Sequence, residues 1–291
     1  MKILRATHLG MCFGVRDAIA LARQSSAHDS VTVLGPLVHN QSVVNELRRE
    51  GVQFADSVDA IRTGTILITA HGASDKRIAA ATATGKRVVE ATCPLVHHAH
   101  RELRMLLAAG YHPVVIGKRG HVEVNGLTED LAECDIVLAE ADVAQLKDRP
   151  KFGVIAHTTQ PVERVQQLTK LIRQRFPKSE VLLRDTVCRP TKDRQNAAVE
   201  LALRSDVVLV IGGVNSNNTH ELVATCRQYC ARVHHIQSAA DLHERWFQPD
   251  DTVGITAGTS TPDGIIDEVE RELHAIAAAH ANVPELIGTA S

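Results

Sequence analysis

The sequence predicts an α/β protein made of three similar units, each a small parallel sheet flanked by helices. Strand-like β-branched runs alternate with amphipathic helical runs, the same order of segments occurs three times, and one cysteine occupies the same place in each repeat. Self-similarity at a fixed period indicates a repeated structural unit. Alternating strands and helices indicate right-handed crossovers and parallel sheets.

Each repeat has a cysteine between a predicted strand and a predicted helix. The three cysteines are Cys12 after KILRATHLGM, Cys93 after KRVVEAT and Cys188 after EVLLRDTV. In the second repeat, apolar residues recur with a 3.6-residue period after the cysteine, and Gly110 marks the end of that helix. A β-branched run ending in glycine follows, and the glycine lies 23, 24 and 24 residues after the cysteine in the three repeats.

The second half of each repeat is predicted to contain two further strands. The first set is GVQFAD, CDIVLAE and ARVHHIQS, and the second set ends in polar motifs: TILITAHGAS, KFGVIAHTTQ and DTVGITAGTST. The predicted lobes are residues 1–92, 93–187 and 188–281, followed by a peripheral C-terminal tail at 282–291. Ligands of open parallel sheets bind beyond the carboxyl ends of the strands, so we expect the polar motifs to converge on one site.

Composition excludes several functional classes. Of the 291 residues 44% are hydrophobic, which allows a sizeable core, and only 3% are aromatic. The net charge is −2 and no basic stripe occurs, so no nucleic acid partner is expected. No apolar run reaches the length of a membrane span, and MKILRATHLG lacks the apolar core of a signal peptide, so no membrane partner and a cytoplasmic location are expected.

Three cysteines in register offer three soft ligands to one metal centre. The Cys-x-x-Cys spacing that is usual in structural zinc sites is absent. A cubane iron–sulfur cluster held by three cysteines keeps one iron open to substrate. The alternative is that the three are small buried hydrophobic residues. The remaining cysteines, Cys134, Cys226 and Cys230, are predicted to be buried thiols.

Polar loops follow the strand ends of all three repeats. His39, His71 and His121 lie in the first two repeats, and NSNNTHE and GTSTP take the corresponding places in the third. Imidazole, hydroxyl and amide groups beside glycine-flanked backbone are suited to an anionic phosphate. No Walker or Rossmann motif occurs, so a small phosphorylated substrate fits better than a nucleotide. Solvated loop histidines are the alternative.

Glu123 is a candidate acid two residues from His121. Near a bound anion the pKa of Glu123 is expected to rise, which suits a proton donor. The alternative is a solvated loop carboxylate.

These motifs together resemble the 4-hydroxy-3-methylbut-2-enyl diphosphate reductase family. The matching stretches are GMCFGVRDAI, GPLVHN, AHG, ATCPLV, GHVEV, DTVCRPTKDRQ, NSNNT and TAGTSTP, and they span residues 10 to 263. The resemblance implies a trefoil of three pseudo-threefold-related lobes around one 4Fe–4S cluster per chain. It implies reductive dehydroxylation of the substrate to isopentenyl and dimethylallyl diphosphate, the last step of the methylerythritol phosphate pathway. A ferredoxin or flavodoxin with its reductase would supply the electrons.

The resemblance also assigns roles to individual residues. Cys12, Cys93 and Cys188 match the cluster ligands; His39, His71 and His121 match the diphosphate-binding histidines; Ser216, Asn218 and Ser260 match its polar diphosphate contacts, with Asn217 in the same loop; Glu123 matches the proton-relay acid; and Thr158 matches a threonine near the substrate hydroxyl.

Three positions depart from the family's pattern. His157 stands where the family usually has glutamine, Val122 where it often has proline, and Asn217 where a second serine is common. None of these departures removes a cluster ligand or the acid. They bear on substrate affinity, on the proton relay and on the product ratio.

Other readings of the same residues stay open at this stage. One is a different open-site 4Fe–4S enzyme, a dehydratase or condensing enzyme acting on a small anionic substrate without net reduction. Another is a non-catalytic iron–sulfur sensor, which needs no phosphate site. The last is a binding protein without a cluster. Electron demand, diphosphate binding and iron content distinguish these from a reductase.

Overall fold

A computed structural model describes residues 1–281 of the chain, so the predicted tail at 282–291 lies outside the described residues. The strands are β1 (Lys2–Arg5), β2 (Val31–Leu34), β3 (Gln53–Ala55), β4 (Thr65–Ile68), β5 (Arg87–Glu90), β6 (His112–Ile116), β7 (Asp135–Val137), β8 (Lys151–Ala156), β9 (Glu180–Leu183), β10 (Val207–Ile211), β11 (Arg232–Ile236) and β12 (Thr252–Ala257). The helices are α1 (Phe13–His28), α2 (Gln41–Arg49), α3 (Asp75–Ala83), α4 (Pro94–Ala108), α5 (Val122–Thr128), α6 (Glu140–Val143), α7 (Val162–Arg175), α8 (Arg189–Ala202), α9 (Asn217–Arg227) and α10 (Asp263–Ala281).

The strands form three four-stranded sheets in which every pairing is parallel. Their orders are β3-β2-β4-β5, β7-β6-β8-β9 and β11-β10-β12-β1. The three orders are equivalent, because each sheet has an outer strand, two central strands and a last strand that precedes a cysteine. The predicted α/β class with three small parallel sheets flanked by helices is therefore confirmed.

The strand β1 does not belong to the sheet of the first repeat, where the sequence placed it. It pairs in parallel with β12, from Lys2 opposite Thr252 to Arg5 opposite Ile255. In each sheet the last strand is the one that leads into the next cysteine, as β5 and β9 also do. The first 11 residues thus complete the third sheet, because β12 would otherwise present an unpaired edge.

The chain forms two compact units. One comprises Cys12–Lys192 and contains the first two sheets, and the other comprises Met1–Met11 with the chain from Asp193 onward and contains the third sheet. In both units the central strands are buried on both faces, as expected for parallel sheets covered by helices. All five residues of β10 and the five residues of β8 after Lys151 are buried.

The cysteines outside the register lie mostly where the sequence placed them. Cys226 and Cys230 are buried in the core of the third sheet. Cys134 directly precedes β7 and is only partly buried, because it lies at the exposed start of a short outer strand. No helix within residues 1–281 is long and apolar enough to cross a membrane.

Candidate active site

Three histidines from separate loops of the Cys12–Lys192 unit form one cluster. His39 lies between β2 and α2, His71 follows β4, and His121 lies between β6 and α5. The ring centroids of His39 and His71 are 4.5 Å apart, those of His39 and His121 are 5.1 Å apart, and those of His71 and His121 are 5.8 Å apart. The register prediction for these three residues therefore holds in the tertiary structure.

Two of the three histidines lie at or next to the N-terminus of a helix. Asn40, next to His39, caps α2 by accepting hydrogen bonds from the backbone N–H groups of Ser42 and Val43. His121 caps α5, and its Nδ1 accepts a hydrogen bond from the Glu123 backbone N–H at 3.2 Å. Because Nδ1 is an acceptor in this bond, Nε2 carries the proton of the neutral ring.

The loop that carries His71 turns at Gly72. This glycine has a φ of +73°, a conformation that side chains rarely adopt, and a Cβ atom there would lie 3.1 Å from Thr92 Cγ2. The turn allows the chain to pass from the end of β4 to the start of α3 while the imidazole of His71 stays in the cluster.

The three clustered histidines are neutral at ordinary pH. Burial lowers the pKa of His39, and burial with the charge of His39 lowers the pKa of His71 to about 3. Burial and the neighbouring His157 and His71 lower the pKa of His121 to about 2. Crowding and desolvation of imidazoles disfavour their charged forms. An anion bound among them would reverse this effect, because it favours the protonated rings.

Glu123 lies beside this cluster in the first turn of α5 and is 2% exposed. The backbone N–H of Thr158 donates to Glu123 Oε1 at 2.8 Å, and the Thr158 hydroxyl donates to Oε2 at 2.9 Å. Thr158 follows β8, and Glu123 follows β6, the strand paired with β8. The sequence placed both residues in the site, and the structure brings them into direct contact.

His157 completes the surroundings of Glu123. Its Nε2 lies 3.1 Å from Glu123 Oε2, and the side chain is 1% exposed. Its ring centroid is 4.1 Å from that of His121, and Nε2 is also 3.2 Å from the Thr159 hydroxyl. Gly117 makes room for this ring at the end of β6, because a Cβ atom there would lie 3.1 Å from His157 Cβ.

The sequence singled out His157 only as a departure from the family's pattern and did not assign it to the site. Its place at the end of KFGVIAHTTQ matches that of His71 at the end of TILITAHGAS, and this equivalence was the available signal. The contact with Glu123 depends on the parallel pairing of β6 with β8, which places Ile116 opposite Ala156. The backbone N–H of His157 then donates to Ile116 O at 2.9 Å.

The pKa of Glu123 is lowered in the structure, whereas the rise expected beside a bound anion stays a prediction. Burial by itself would raise this pKa, but the charge and hydrogen bond of His157 and the backbone N–H of Thr158 hold it below its ordinary value. A carboxylate that accepts several hydrogen bonds and faces an imidazolium is stabilised in its ionised form. Glu123 is therefore a carboxylate.

Three cysteine thiols lie close to these groups. The charge of Cys12 acts on both Cys93 and Cys188, and the charge of Glu123 acts on the same two thiols. Burial raises the pKa of Cys93, and it raises the pKa of Cys188 to about 11. Gly14 allows α1 to lie close to Cys93, because a Cβ atom at this position would be only 2.5 Å from Cys93 Sγ.

The thiols fit the cluster that the sequence predicts. Each cysteine directly precedes a helix, namely α1, α4 or α8, where the positive end of the helix dipole favours a negative ligand. Backbone N–H groups of Leu95 and Val96 point at Cys93, and the Thr191 backbone N–H points at Cys188. Within residues 1–281, no group of three or more His, Cys, Asp or Glu side chains is arranged to hold a single metal ion.

The other unit holds the four remaining predicted residues. Ser216 caps α9 by accepting from the Thr219 N–H at 3.3 Å, and Asn218 Oδ1 accepts from the Thr259 N–H at 2.9 Å. Ser260 is buried next to Thr259. The side-chain nitrogens of Asn217 and Asn218 are buried, and neither donates a hydrogen bond within residues 1–281. Asn218 thus joins the loop after β10 to the loop after β12, and both amide nitrogens are available to an acceptor.

The chain has an α/β fold with three parallel sheets. A buried acid, clustered histidines and three thiols in the Cys12–Lys192 unit are the side chains of an enzyme active site. The LytB protein family model matches residues 3–274, and the chain belongs to that family.

Relatives and solved structures agree with this assignment. A 4-hydroxy-3-methylbut-2-enyl diphosphate reductase of Trichlorobacter lovleyi is 38% identical over 283 residues, covering 96% of this chain and 100% of the relative. The reductase of the same name from Citrifermentans bemidjiense is 39% identical over 279 residues, covering 95% and 98%.

Among solved structures, an (E)-4-hydroxy-3-methyl-but-2-enyl diphosphate reductase is 34% identical with a TM-score of 0.68, covering 94% of this chain and 100% of that chain. The structure of E-1-hydroxy-2-methyl-but-2-enyl-4-diphosphate reductase from Plasmodium falciparum has a TM-score of 0.86 at 24% identity, covering 94% and 87%, and supports the fold alone.

One departure from the family's pattern has a simple structural explanation. Val122 is the first residue of α5, directly after the cap His121. The first position of a helix needs no hydrogen bond from its N–H, so proline and other residues are both accepted there. Val122 thus leaves the placement of His121 and Glu123 unchanged.

Proposed function

We propose that the chain is a reductase that converts 4-hydroxy-3-methylbut-2-enyl diphosphate to isopentenyl and dimethylallyl diphosphate, the last step of the methylerythritol phosphate pathway. The observation that carries this proposal is the buried carboxylate of Glu123, which lies beside three clustered histidines and acts electrostatically on two of the three neighbouring thiols. An anion site, a proton-transfer group and a soft donor set are the three parts that such a reaction requires.

His39, His71 and His121 would bind the diphosphate. As neutral rings they donate one hydrogen bond each, and the bound anion would promote their protonation and strengthen the interaction. Ser216, Asn217, Asn218 and Ser260 would also bind the diphosphate through hydroxyl and amide groups, as the family resemblance implies.

Glu123 and Thr158 would act at the reacting end of the substrate. The Thr158 hydroxyl fixes the carboxylate, since it donates to Oε2 at 2.9 Å. Near the substrate hydroxyl, Glu123 would pass on the proton with which that hydroxyl leaves as water. The burial of both side chains excludes bulk water from this transfer.

Cys12, Cys93 and Cys188 would hold one 4Fe–4S cluster per chain. When bound, such a cluster supplies electrons one at a time and an iron that no protein side chain ligates. The N–H groups directed at Cys93 and Cys188 favour their thiolate forms and so support this role. A ferredoxin or flavodoxin with its reductase is the electron donor that we propose, in the cytoplasm.

Anaerobic assay tests this function. Purified protein with a low-potential reductant is expected to consume the hydroxylated diphosphate and to release both isomeric products, and iron and sulfide are expected at about four each per chain. Turnover without any reductant would instead indicate a dehydratase or condensing enzyme. A protein that carries the cluster but neither binds the diphosphate nor turns it over would be a sensor.

A further inference from the structure

We propose that His157 supplies the proton that Glu123 delivers, so that the two residues act as a proton-carrying pair. This inference rests on the proposed function, because it concerns the proton that the reaction consumes. It assigns a role to a residue that stands where the family's pattern has glutamine, a side chain that cannot carry a proton in this way.

The contacts of Glu123 lead to this inference. Its carboxylate accepts hydrogen bonds from the Thr158 N–H and the Thr158 hydroxyl, and neither of these donors gives up its proton near neutral pH. The third contact is His157 Nε2 at 3.1 Å from Oε2. Of these contacts, only the imidazole is a group that exchanges a proton in this range.

The ionisation of Glu123 requires such a source. The carboxylate is ionised, because the charge and hydrogen bond of His157 and the backbone N–H of Thr158 hold its pKa low despite its burial. An ionised carboxylate has no proton to give to a leaving hydroxyl. The proton must first reach Glu123, and the direct route is from His157 Nε2 to Oε2.

The reaction consumes two protons and two electrons. The allylic C–O bond of the substrate breaks, the hydroxyl leaves as water with one proton, and a C–H bond forms at the allyl carbon with a second proton. Two electrons come from the external low-potential donor protein. His157 passes its Nε2 proton to Glu123 Oε2, and Glu123 delivers it to the leaving hydroxyl. The imidazole then takes up a proton from solvent, and the pair delivers this second proton to the allyl carbon.

Several titratable or charged groups surround His157. The titratable or charged groups that face it or act on its neighbours are Glu123 and His121 in direct contact, His39 and His71 in the histidine cluster, Arg164 through Gln160, and Cys188 through the backbone of Thr158. Glu123 is the carboxylate in direct contact with the ring, and a diphosphate bound among the three clustered histidines would place further negative charge near it.

The substitution His157→Gln tests the proposal, since the amide retains a hydrogen-bond donor toward Glu123 but carries no exchangeable charge. We expect kcat to fall about 10- to 100-fold at neutral pH with KM changed less than about threefold, since proton delivery contributes to the chemical step and not to diphosphate binding. The pH profile of the wild-type rate is expected to have an alkaline limb that the variant lacks.

His98→Gln is the matched control. His98 forms a partly exposed pair with Glu102 on α4, with 3.9 Å between Nδ1 and Oε1, and touches none of the site residues named above. This variant is expected to keep the wild-type kcat and pH profile. A His157→Gln variant with the same kcat and the same alkaline limb as the wild type would overturn the proposal.

A measurement that needs no substitution at His157 accompanies the kinetics. In ¹⁵N-histidine NMR titrations of the anaerobic holoenzyme, the charge state of His157 is expected to differ between the wild type and Glu123→Gln, because the two side chains are in direct contact. A neutral His157 in the wild type with diphosphate bound would also overturn the proposal. If the wild type consumes no substrate under reducing conditions, the proposed function fails, whereas the titration still reports on the pair.

Discussion

Thr158 holds both oxygens of the Glu123 carboxylate, with its backbone N–H on Oε1 at 2.8 Å and its hydroxyl on Oε2 at 2.9 Å. The two residues are 35 positions apart in the chain and meet because β6 and β8 are neighbours in one sheet. These two hydrogen bonds fix the orientation of the buried Glu123 carboxylate. The site therefore depends on the strand ends as much as on the side chains.

Replacing the acid should abolish turnover without loss of the cluster. Glu123→Gln keeps the shape and one acceptor oxygen but cannot relay a proton, so kcat is expected to fall at least about 100-fold. Iron content and the visible spectrum are expected to match the wild type. Glu133→Gln, in an exposed pair with Arg149, is the control. Normal activity of Glu123→Gln would remove this residue from the mechanism.

Removing the Thr158 hydroxyl should weaken both the site and the fold. Thr158→Val retains the backbone hydrogen bond but leaves Glu123 Oε2 with one donor fewer in a buried place. The free energy of unfolding is expected to fall by about 1–3 kcal/mol, as for a lost hydrogen bond to a buried charged group. Thermal unfolding measures this loss, and Thr82→Val, which breaks an exposed helix bond, is the comparison. Equal losses in the two variants would contradict the argument.

The histidine cluster should take up protons when it binds diphosphate. The pKa values of His39, His71 and His121 are lowered in the free site, so these rings are neutral near pH 7. A bound anion raises these pKa values, and net proton uptake results. Calorimetry of inorganic diphosphate binding in buffers of different ionisation enthalpy measures the number of protons taken up. His71→Ala is expected to reduce it, and the exposed His28→Ala is not.

The same lowered pKa values make the free protein sensitive to acid. The unfolded chain protonates these histidines near pH 6.5, whereas the folded chain resists protonation until the pKa of about 3 for His71 and about 2 for His121. The stability is therefore complete above about pH 6.5 and is lost as the pH falls below it, by up to about 1.4 kcal/mol per pH unit for each such histidine. Unfolding midpoints between pH 7 and pH 5, with and without diphosphate, test the slope.

The contact of α1 with Cys93 should control cluster retention. In Gly14→Ala the added methyl group would lie 2.5 Å from Cys93 Sγ, so the thiol must move. Iron and sulfide per chain are expected to fall by about half or more, with the fold retained by circular dichroism, because a displaced ligand weakens a three-cysteine site. Gly264→Ala, which meets no atom within 4 Å, is the control. Full occupancy in Gly14→Ala would show that Cys93 is free to shift.

Part of this protein follows from the sequence alone. The threefold order of strands, cysteines and helices needs only local periodicity and spacing, and it predicted three parallel sheets and the positions of Cys12, Cys93 and Cys188 before helices. The placement of His39, His71 and His121 at strand ends likewise predicted their cluster, because carboxyl ends of parallel strands share an edge.

The tertiary structure decided what depends on pairing across the chain. The strand β1 joins β12 because an open sheet edge can be completed by any strand of suitable register, and no local signal selects the partner. The contact of His157 with Glu123 arises from the register of β6 against β8. The low pKa of Glu123 likewise follows from folding, because a pKa depends on burial and on the neighbours that the fold brings together, and the sequence fixes neither.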